Sequence, residues 1–145
     1  MIQKLRDLLI LEEGLRLKPY RCSEFKLTIG VGRNLDDVGI TKEEALYLLD
    51  NDIKKVFTSV EKKYDWFKEL DDVRKMVVLD MVFNLGLVGF SKFYNLIAHL
   101  TLHQYTQAAI EMVDSVWAEQ VGIRAKRLAH MMKTGEFDIN GKFKS

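Results

Sequence analysis

Apolar positions at the start of the chain recur at helical spacing. Ile2, Leu5, Leu8 and Leu9 share one stripe that runs on to Glu12, while Lys4, Arg6 and Asp7 fall elsewhere. Gly14 supplies a stop, so a first helix delivers Glu13 in its last turn. Pro19, the only proline, keeps that helix from continuing. Phe25, Leu27, Ile29 and Val31 then alternate with Lys26, Thr28, Gly30 and Gly32, which is the period of a strand. In that register Thr28 points away from the apolar side. The pattern predicts a small hairpin as the only sheet.

Helical spacing returns after Thr41-Lys42-Glu43-Glu44, where Thr41 caps and Glu44 reaches back to it. Ala45, Leu48, Leu49, Ile53, Val56 and Val60 extend this helix over about 18–20 residues, roughly 30 Å, enough to link two lobes. Asp71 or Asp72 caps the next helix, whose run Met76 to Phe83 is apolar nearly all round and reads as a buried central element. Gly86 and Gly89 are expected to end it. Ser91 then caps a helix carrying Phe93, Leu96, Ile97 and Leu100. Ala108, Ala109, Met112 and Val113 continue the pattern toward Trp117. Gly122 breaks it, and a last helix runs from about Ile123 to Lys133 ahead of Gly135. The expected class is α+β and mostly helical, with a small hairpin lobe joined by a long helix to a helical bundle.

Composition changes this picture little. The 145 residues suit one domain, taken as 1–145, with approximate lobes at 14–60 and at 1–13 plus 61–145. A net charge of +1 gives no drive toward nucleic acid, and none is expected as a partner. The last stretch is more basic, with Arg124, Lys126, Arg127, Lys133, Lys142 and Lys144 against Glu136 and Asp138. Such an end suits either a polyanionic partner or plain solvent. One cysteine, Cys22, forms no internal disulfide. Charges spread through the first residues match neither a signal peptide nor a membrane anchor, and the chain is expected to be a monomer without stable membrane insertion.

The stretch from Glu13 to Thr28 carries the chemistry: an acid, eight residues, a cysteine, five residues, a threonine, then Ile29-Gly30-Val31-Gly32. It resembles the catalytic segment of phage lysozymes of glycoside hydrolase family 24, whose pattern is Glu, eight residues, Asp or Cys, five residues, Thr. Glu13-Gly14-Leu15-Arg16-Leu17-Lys18 followed by Thr28-Ile29-Gly30-Val31-Gly32 is similar to the T-even phage lysozymes in particular. Asp80-Met81-Val82-Phe83-Asn84-Leu85-Gly86 resembles the family's buried-helix signature, and Arg124-Ala125-Lys126-Arg127 with Gly135 its C-terminal helices. The segment from Thr28 to Thr41 is shorter than in T-even relatives.

The resemblance implies an N-acetylmuramidase that hydrolyses the β-1,4 bond between N-acetylmuramic acid and N-acetylglucosamine in peptidoglycan glycan strands, used for bacterial host cell lysis. It implies an enzyme made in the host cytoplasm that reaches the cell wall after release by a separate holin-type protein. Glu13 is then the acid for the leaving oxygen. Cys22 stands where many members have Asp, and acts as a thiolate that attacks the anomeric carbon or activates water, or is an idle thiol. Arg21, Lys18 and Lys26 are close enough in sequence to lower its pKa. Thr28 holds the water or the thiol through its hydroxyl. Asn84, Trp117 and Arg124 match substrate-binding positions, with Arg124 placed by the family near the acid and Trp117 equally suited to a core.

Two other readings remain open: a lysozyme-fold module that binds the wall without cutting it, and a lytic transglycosylase whose products end in an anhydro sugar. His99 and His103 lack the glutamate and third ligand of a metalloprotease helix, so no metal and no cofactor are expected.

Overall fold

A computed structural model describes residues 1–138. Its elements run α1 (Ile2–Glu13), β1 (Arg16–Arg21), β2 (Leu27–Gly30), β3 (Arg33–Asn34), α2 (Lys42–Lys63), a short 3₁₀ turn (Asp65–Glu69), α3 (Asp72–Ser91), α4 (Tyr94–Thr101), α5 (Tyr105–Val113), α6 (Val116–Val121) and α7 (Ile123–Thr134). This is the expected mostly helical α+β class. The chain divides into two compact units, Met1–Leu49 and the remainder from Asp50. α1 groups with the sheet, whereas the sequence reading had set residues 1–13 with the helical lobe. No single helix among the described residues is long and apolar enough to cross a membrane.

In the first unit, α1 ends where expected. Gly14 takes φ 79° and its N–H donates to the Ile10 carbonyl at 2.8 Å, leaving Glu13 as the last helical residue. The expected hairpin is a three-stranded antiparallel sheet in the order β1-β2-β3. β3 is two residues long, too short to show a period in sequence. It pairs Thr28 with Asn34 and Ile29 with Arg33, so Val31 lies in a tight turn rather than in a strand. Gly30 and Gly32, at φ 70° and 68°, make that turn possible. Pro19 sits inside edge strand β1, within the interruption of pairing between Arg16 and Tyr20, where a residue without an N–H is tolerated. Phe25 is in the β1–β2 turn with φ 60°, also outside the expected strand.

α2 opens with the expected reciprocal cap: Glu44 N–H donates to Thr41 Oγ1 at 3.1 Å, and Thr41 N–H to Glu44 Oε1 at 2.9 Å. It runs for 22 residues. Asp71, rather than Asp72, caps α3 by accepting from Arg74 N–H at 3.2 Å. Gly86, at φ 76° and ψ 162°, ends the regular helix of α3 as expected, but Gly89 does not: a short second helical piece runs on at an angle through Gly89 to Ser91. Ser91 is therefore not a cap; its hydroxyl donates to the Val88 carbonyl. The pattern leading to Trp117 is two helices, divided where Ser115 caps α6 through Ala118 N–H at 3.1 Å.

The second unit holds the apolar core. Val60, Phe67, Val77, Val78, Met81, Phe90, Leu100, Ala108, Met112, Ala125 and Met132 have no exposed surface. Aromatic rings run through it in contact, Phe57 on Phe67 at 5.4 Å, Tyr64 on Trp66 at 4.9 Å and Tyr64 on Phe90 at 5.8 Å between centroids. α3 is less uniformly buried than its composition suggested, because Met76 and Phe83 remain about half exposed (45% and 47%). Arg74 ties the start of α3 to the end of α7. It donates to the Met132 and Lys133 carbonyls at 2.7 and 3.0 Å and lies over the Tyr105 ring.

Candidate active site

Three of the residues singled out by the sequence lie in the first unit: Glu13, Cys22 and Thr28. α1 delivers Glu13, whose carboxylate is exposed within that unit and lies over the backbone of Gly32. A Cβ added at Gly32 would stand 3.0 Å from Glu13 Oε2. A side chain there would make the carboxylate give by a few tenths of an ångström, and the φ of 68° favours glycine independently. The turn after β2 thus lies close against the acid.

Cys22 follows β1 and opens the turn to β2. Its N–H donates to the Lys26 carbonyl at 3.0 Å, and Phe25 N–H donates to the Cys22 carbonyl at 2.9 Å. Phe25, in the left-handed region at φ 60°, turns the backbone back between these two bonds. The Cys22 thiol is pulled below its ordinary pKa. The Glu24 N–H is the largest cause and the Lys26 N–H the next; partial burial and the Glu24 charge oppose them. The Thr28 hydroxyl also favours the thiolate.

The basic side chains expected to activate the thiol are occupied elsewhere. Arg21 Nη1 donates to Asp36 Oδ2 at 3.2 Å and to the Phe25 carbonyl at 3.3 Å, and Lys26 Nζ sits 3.2 Å from Asp37. Lys18 is an exposed residue of β1. Activation comes from the main chain instead.

Thr28 differs from its expected orientation. It is 4% exposed, the one fully buried residue of the first unit, and its hydroxyl donates to the Lys26 carbonyl at 2.9 Å. One hydroxyl proton cannot serve that carbonyl and a thiolate fully at once, so Thr28 can pass its donor from one to the other as the sulfur ionises.

Two supports carried no signal in the sequence. Asp36 Oδ2 accepts from Leu27 N–H at 2.7 Å as well as from Arg21. Arg33, next to Gly32, donates to Glu44 Oε1 at 2.8 Å and to the Gly39 carbonyl at 3.1 Å. Glu44 had been read only as a helix cap; its bond to Arg33, ahead of its bond to Thr41, holds its carboxyl down to about 2.

The other three predicted residues lie in the second unit. Trp117 Nε1 donates to Asn84 Oδ1 at 2.9 Å, so the structure brings these two together. Trp117 is 4% exposed and meets the Phe93 ring edge-on at 6.2 Å. Its ring is core rather than a platform for a sugar, and its polar tip orients the exposed Asn84 amide. Arg124 is drawn to an acid the sequence reading had not singled out: Nε and Nη2 both donate to Asp80 Oδ1, at 2.9 and 2.7 Å. His99 and His103 pair with Gln104 and Tyr105, and no metal-ligating cluster occurs among the described residues. Lys142 and Lys144 of the basic end lie outside those residues.

Comparison with known proteins shows the family. The phage lysozyme family model matches residues 11–133, a span that includes all six predicted site residues. The chain belongs to the phage lysozyme family. It is 27% identical to probable T4-type lysozyme 1 of Dictyostelium discoideum, over 93% of this chain and 96% of the relative. It is 31% identical to an endolysin of Acyrthosiphon pisum secondary endosymbiont phage 1, over 70% of this chain and 69% of the relative. It is also 26% identical to the pre-baseplate central spike protein Gp5 of Enterobacteria phage T4, where the match covers 93% of this chain and 28% of that longer protein. Membership in this family makes the chain a peptidoglycan-lysing hydrolase.

Proposed function

We propose that this chain is an N-acetylmuramidase, hydrolysing the β-1,4 bond between N-acetylmuramic acid and N-acetylglucosamine. The observation that carries the reading is the presence in one unit of an acid that ends α1 against Gly32 and a thiol of lowered pKa in the turn between β1 and β2. Glycoside hydrolysis needs these two functions: a proton for the leaving oxygen, and a group for the anomeric carbon. Glu13 donates the proton. Cys22, in its thiolate form, either attacks the anomeric carbon or takes a proton from the attacking water, with Thr28 donating to the sulfur or the water. Asn84 donates its amide N–H groups to polar atoms of the glycan or its peptide, held in orientation by Trp117. Arg124 takes part in substrate binding with Asp80 as its anchor. In this reading the enzyme serves host lysis as a monomer, made in the cytoplasm and released to the wall by a separate holin-type protein.

The test is digestion of isolated peptidoglycan by wild type, Glu13→Gln and Cys22→Ser, with reducing ends counted and product masses measured. Wild type is expected to produce new reducing muramic-acid ends, and Glu13→Gln to lose about 10² to 10⁴ in rate while staying folded. Anhydro-muramic ends would make the enzyme a transglycosylase, and no cleavage by folded wild type would make it a wall-binding module. Iodoacetamide modification of Cys22 is expected to stop cleavage; full activity in the modified enzyme would remove the thiol from the mechanism.

A further inference from the structure

The turn that carries Cys22 is short, exposed and contains a non-glycine residue at φ 60°. Such a conformation persists only where surrounding bonds over-determine it. The hairpin closes on the pair Arg21 and Leu27, and one side chain from outside the hairpin bridges that pair. Asp36 Oδ2 accepts from Leu27 N–H at 2.7 Å on one strand and from Arg21 Nη1 at 3.2 Å on the other. Arg21 in turn reaches into the turn and grips the Phe25 carbonyl at 3.3 Å. Leu35 N–H donates to the Leu27 carbonyl at 2.7 Å, fixing the Asp36 segment alongside. Asp37 continues the brace, accepting from Lys26 Nζ at 3.2 Å and from the Asn34 amide at 2.9 Å.

We propose that Asp36 is a positioning residue for Cys22: by bridging Leu27 N–H and Arg21 it locks the turn that carries Cys22. The inference rests on Cys22 being the reactive thiol of the proposed function. Asp36 touches neither sulfur nor substrate, and acts through the turn. The charge that acts on the sulfur is Glu24 within the turn; Arg21 and Lys26 at the ends of the turn are paired with Asp36 and Asp37 from the segment after β3.

Position and charge predict opposite signs. Removing a nearby negative charge makes a thiolate easier to form. Loosening the turn withdraws the Glu24 and Lys26 N–H donors and makes it harder. Cys22 is the only cysteine, so its titration can be read on the full chain without interference. The experiment is iodoacetamide alkylation followed by mass spectrometry across pH 5–10, on wild type, Asp36→Ala and Asp36→Asn, with far-UV circular dichroism to monitor folding. Asp36→Ala, which loses charge and acceptor, is expected to raise the titration midpoint and slow alkylation at neutral pH by about two- to tenfold. Asp36→Asn keeps an acceptor oxygen for Leu27 and loses the charge, so its midpoint should stay at or below that of wild type.

A midpoint for folded Asp36→Ala at or below wild type overturns the proposal and leaves Asp36 a charge effect alone. Coincident curves for the two variants do the same. Should Asp36→Ala unfold, Asp36→Asn decides by itself: a raised midpoint overturns the proposal. The readout is independent of glycan cleavage. Its failure removes the role of Asp36, whereas cleavage that survives Cys22→Ser removes the thiol from the mechanism and leaves the hold of Asp36 on the turn intact.

Discussion

The two units are stabilised in different ways. Within the first, α1 buries no side chain, Thr28 is the only fully buried residue, and the sheet is held by directed polar bonds: Asp36 on Leu27 and Arg21, Arg33 on Glu44, Thr41 with Glu44. Within the second, an aromatic and aliphatic core joins every helix, and polar bonds such as Arg74 on the end of α7 fasten its surface. The unit that carries the acid and the thiol is thus shaped by individual hydrogen bonds, and the other by area removed from water. A single substitution in the first should therefore change geometry and rate. In the second it should change stability first.

The largest expected effect on rate is at Gly32. Gly32→Ala places a methyl 3.0 Å from Glu13 Oε2, so the carboxylate must shift by a few tenths of an ångström, and about a tenfold loss of glycan cleavage is expected. Strain at φ 68° adds a stability cost of about 1–2 kcal/mol. Steady-state cleavage alongside thermal melts checks both. A loss of activity no larger than the loss of folded protein would break the contrast between the units.

Arg74→Ala is the matching test in the second unit. Two charge-assisted bonds to the last carbonyls of α7 and a contact with Tyr105 disappear, for an expected loss of about 2–4 kcal/mol in a urea titration. Below its melting transition the variant should cleave glycan at the wild-type rate.

Trp117→Phe sharpens the comparison, since it removes the indole N–H that orients Asn84 together with part of a buried ring. About 2–3 kcal/mol of stability should be lost, with a rise of a fewfold in KM and little change in kcat. An unchanged KM would leave Asn84 without a part in binding.

The smallest effect is the pH response of the Arg33–Glu44 pair. The Glu44 carboxyl lies at about 2, below its ordinary 4.5. A carboxyl depressed on folding stabilises above its unfolded pKa, and that contribution is lost as pH falls from about 4.5 through about 2. Both side chains are more than a third exposed, so the effect is modest and should shrink further in high salt. Protection factors for amide exchange in the first unit, each referred to the intrinsic rate at its pH, should fall from pH 5 to pH 2 more in wild type than in Glu44→Gln.

Most helices were legible because periodicity and caps are local. The Thr41–Glu44 box, the Asp71 cap and the stops at Gly14, Gly122 and Gly135 appear in the structure where the residues predicted them. Ser91 was misread because a serine beside a helix looks the same whether it caps the next helix or bonds back to the last. Gly86 breaks the helix as expected, and Gly89 was misread because a glycine with negative φ can also sit inside a short helical piece. β3 left no trace, since a two-residue strand has no period and exists only through its partner.

The candidate site divides along the same line. The spacing of Glu13, Cys22 and Thr28 is a property of the chain, and the sequence by itself determined the family, the helical class and the six residues to watch. Where those residues sit depended on partners remote in sequence. Trp117 became core and aligned Asn84 from 33 positions away, and Arg124 found Asp80 across 44. Thr28 turned inward on a buried hydrogen bond, and Cys22 drew its activation from main-chain N–H groups rather than from the basic side chains beside it. Side-chain identity is written in the sequence. The direction of a backbone N–H is set only when the chain has folded around it, and here it is the largest cause of the lowered pKa of the thiol.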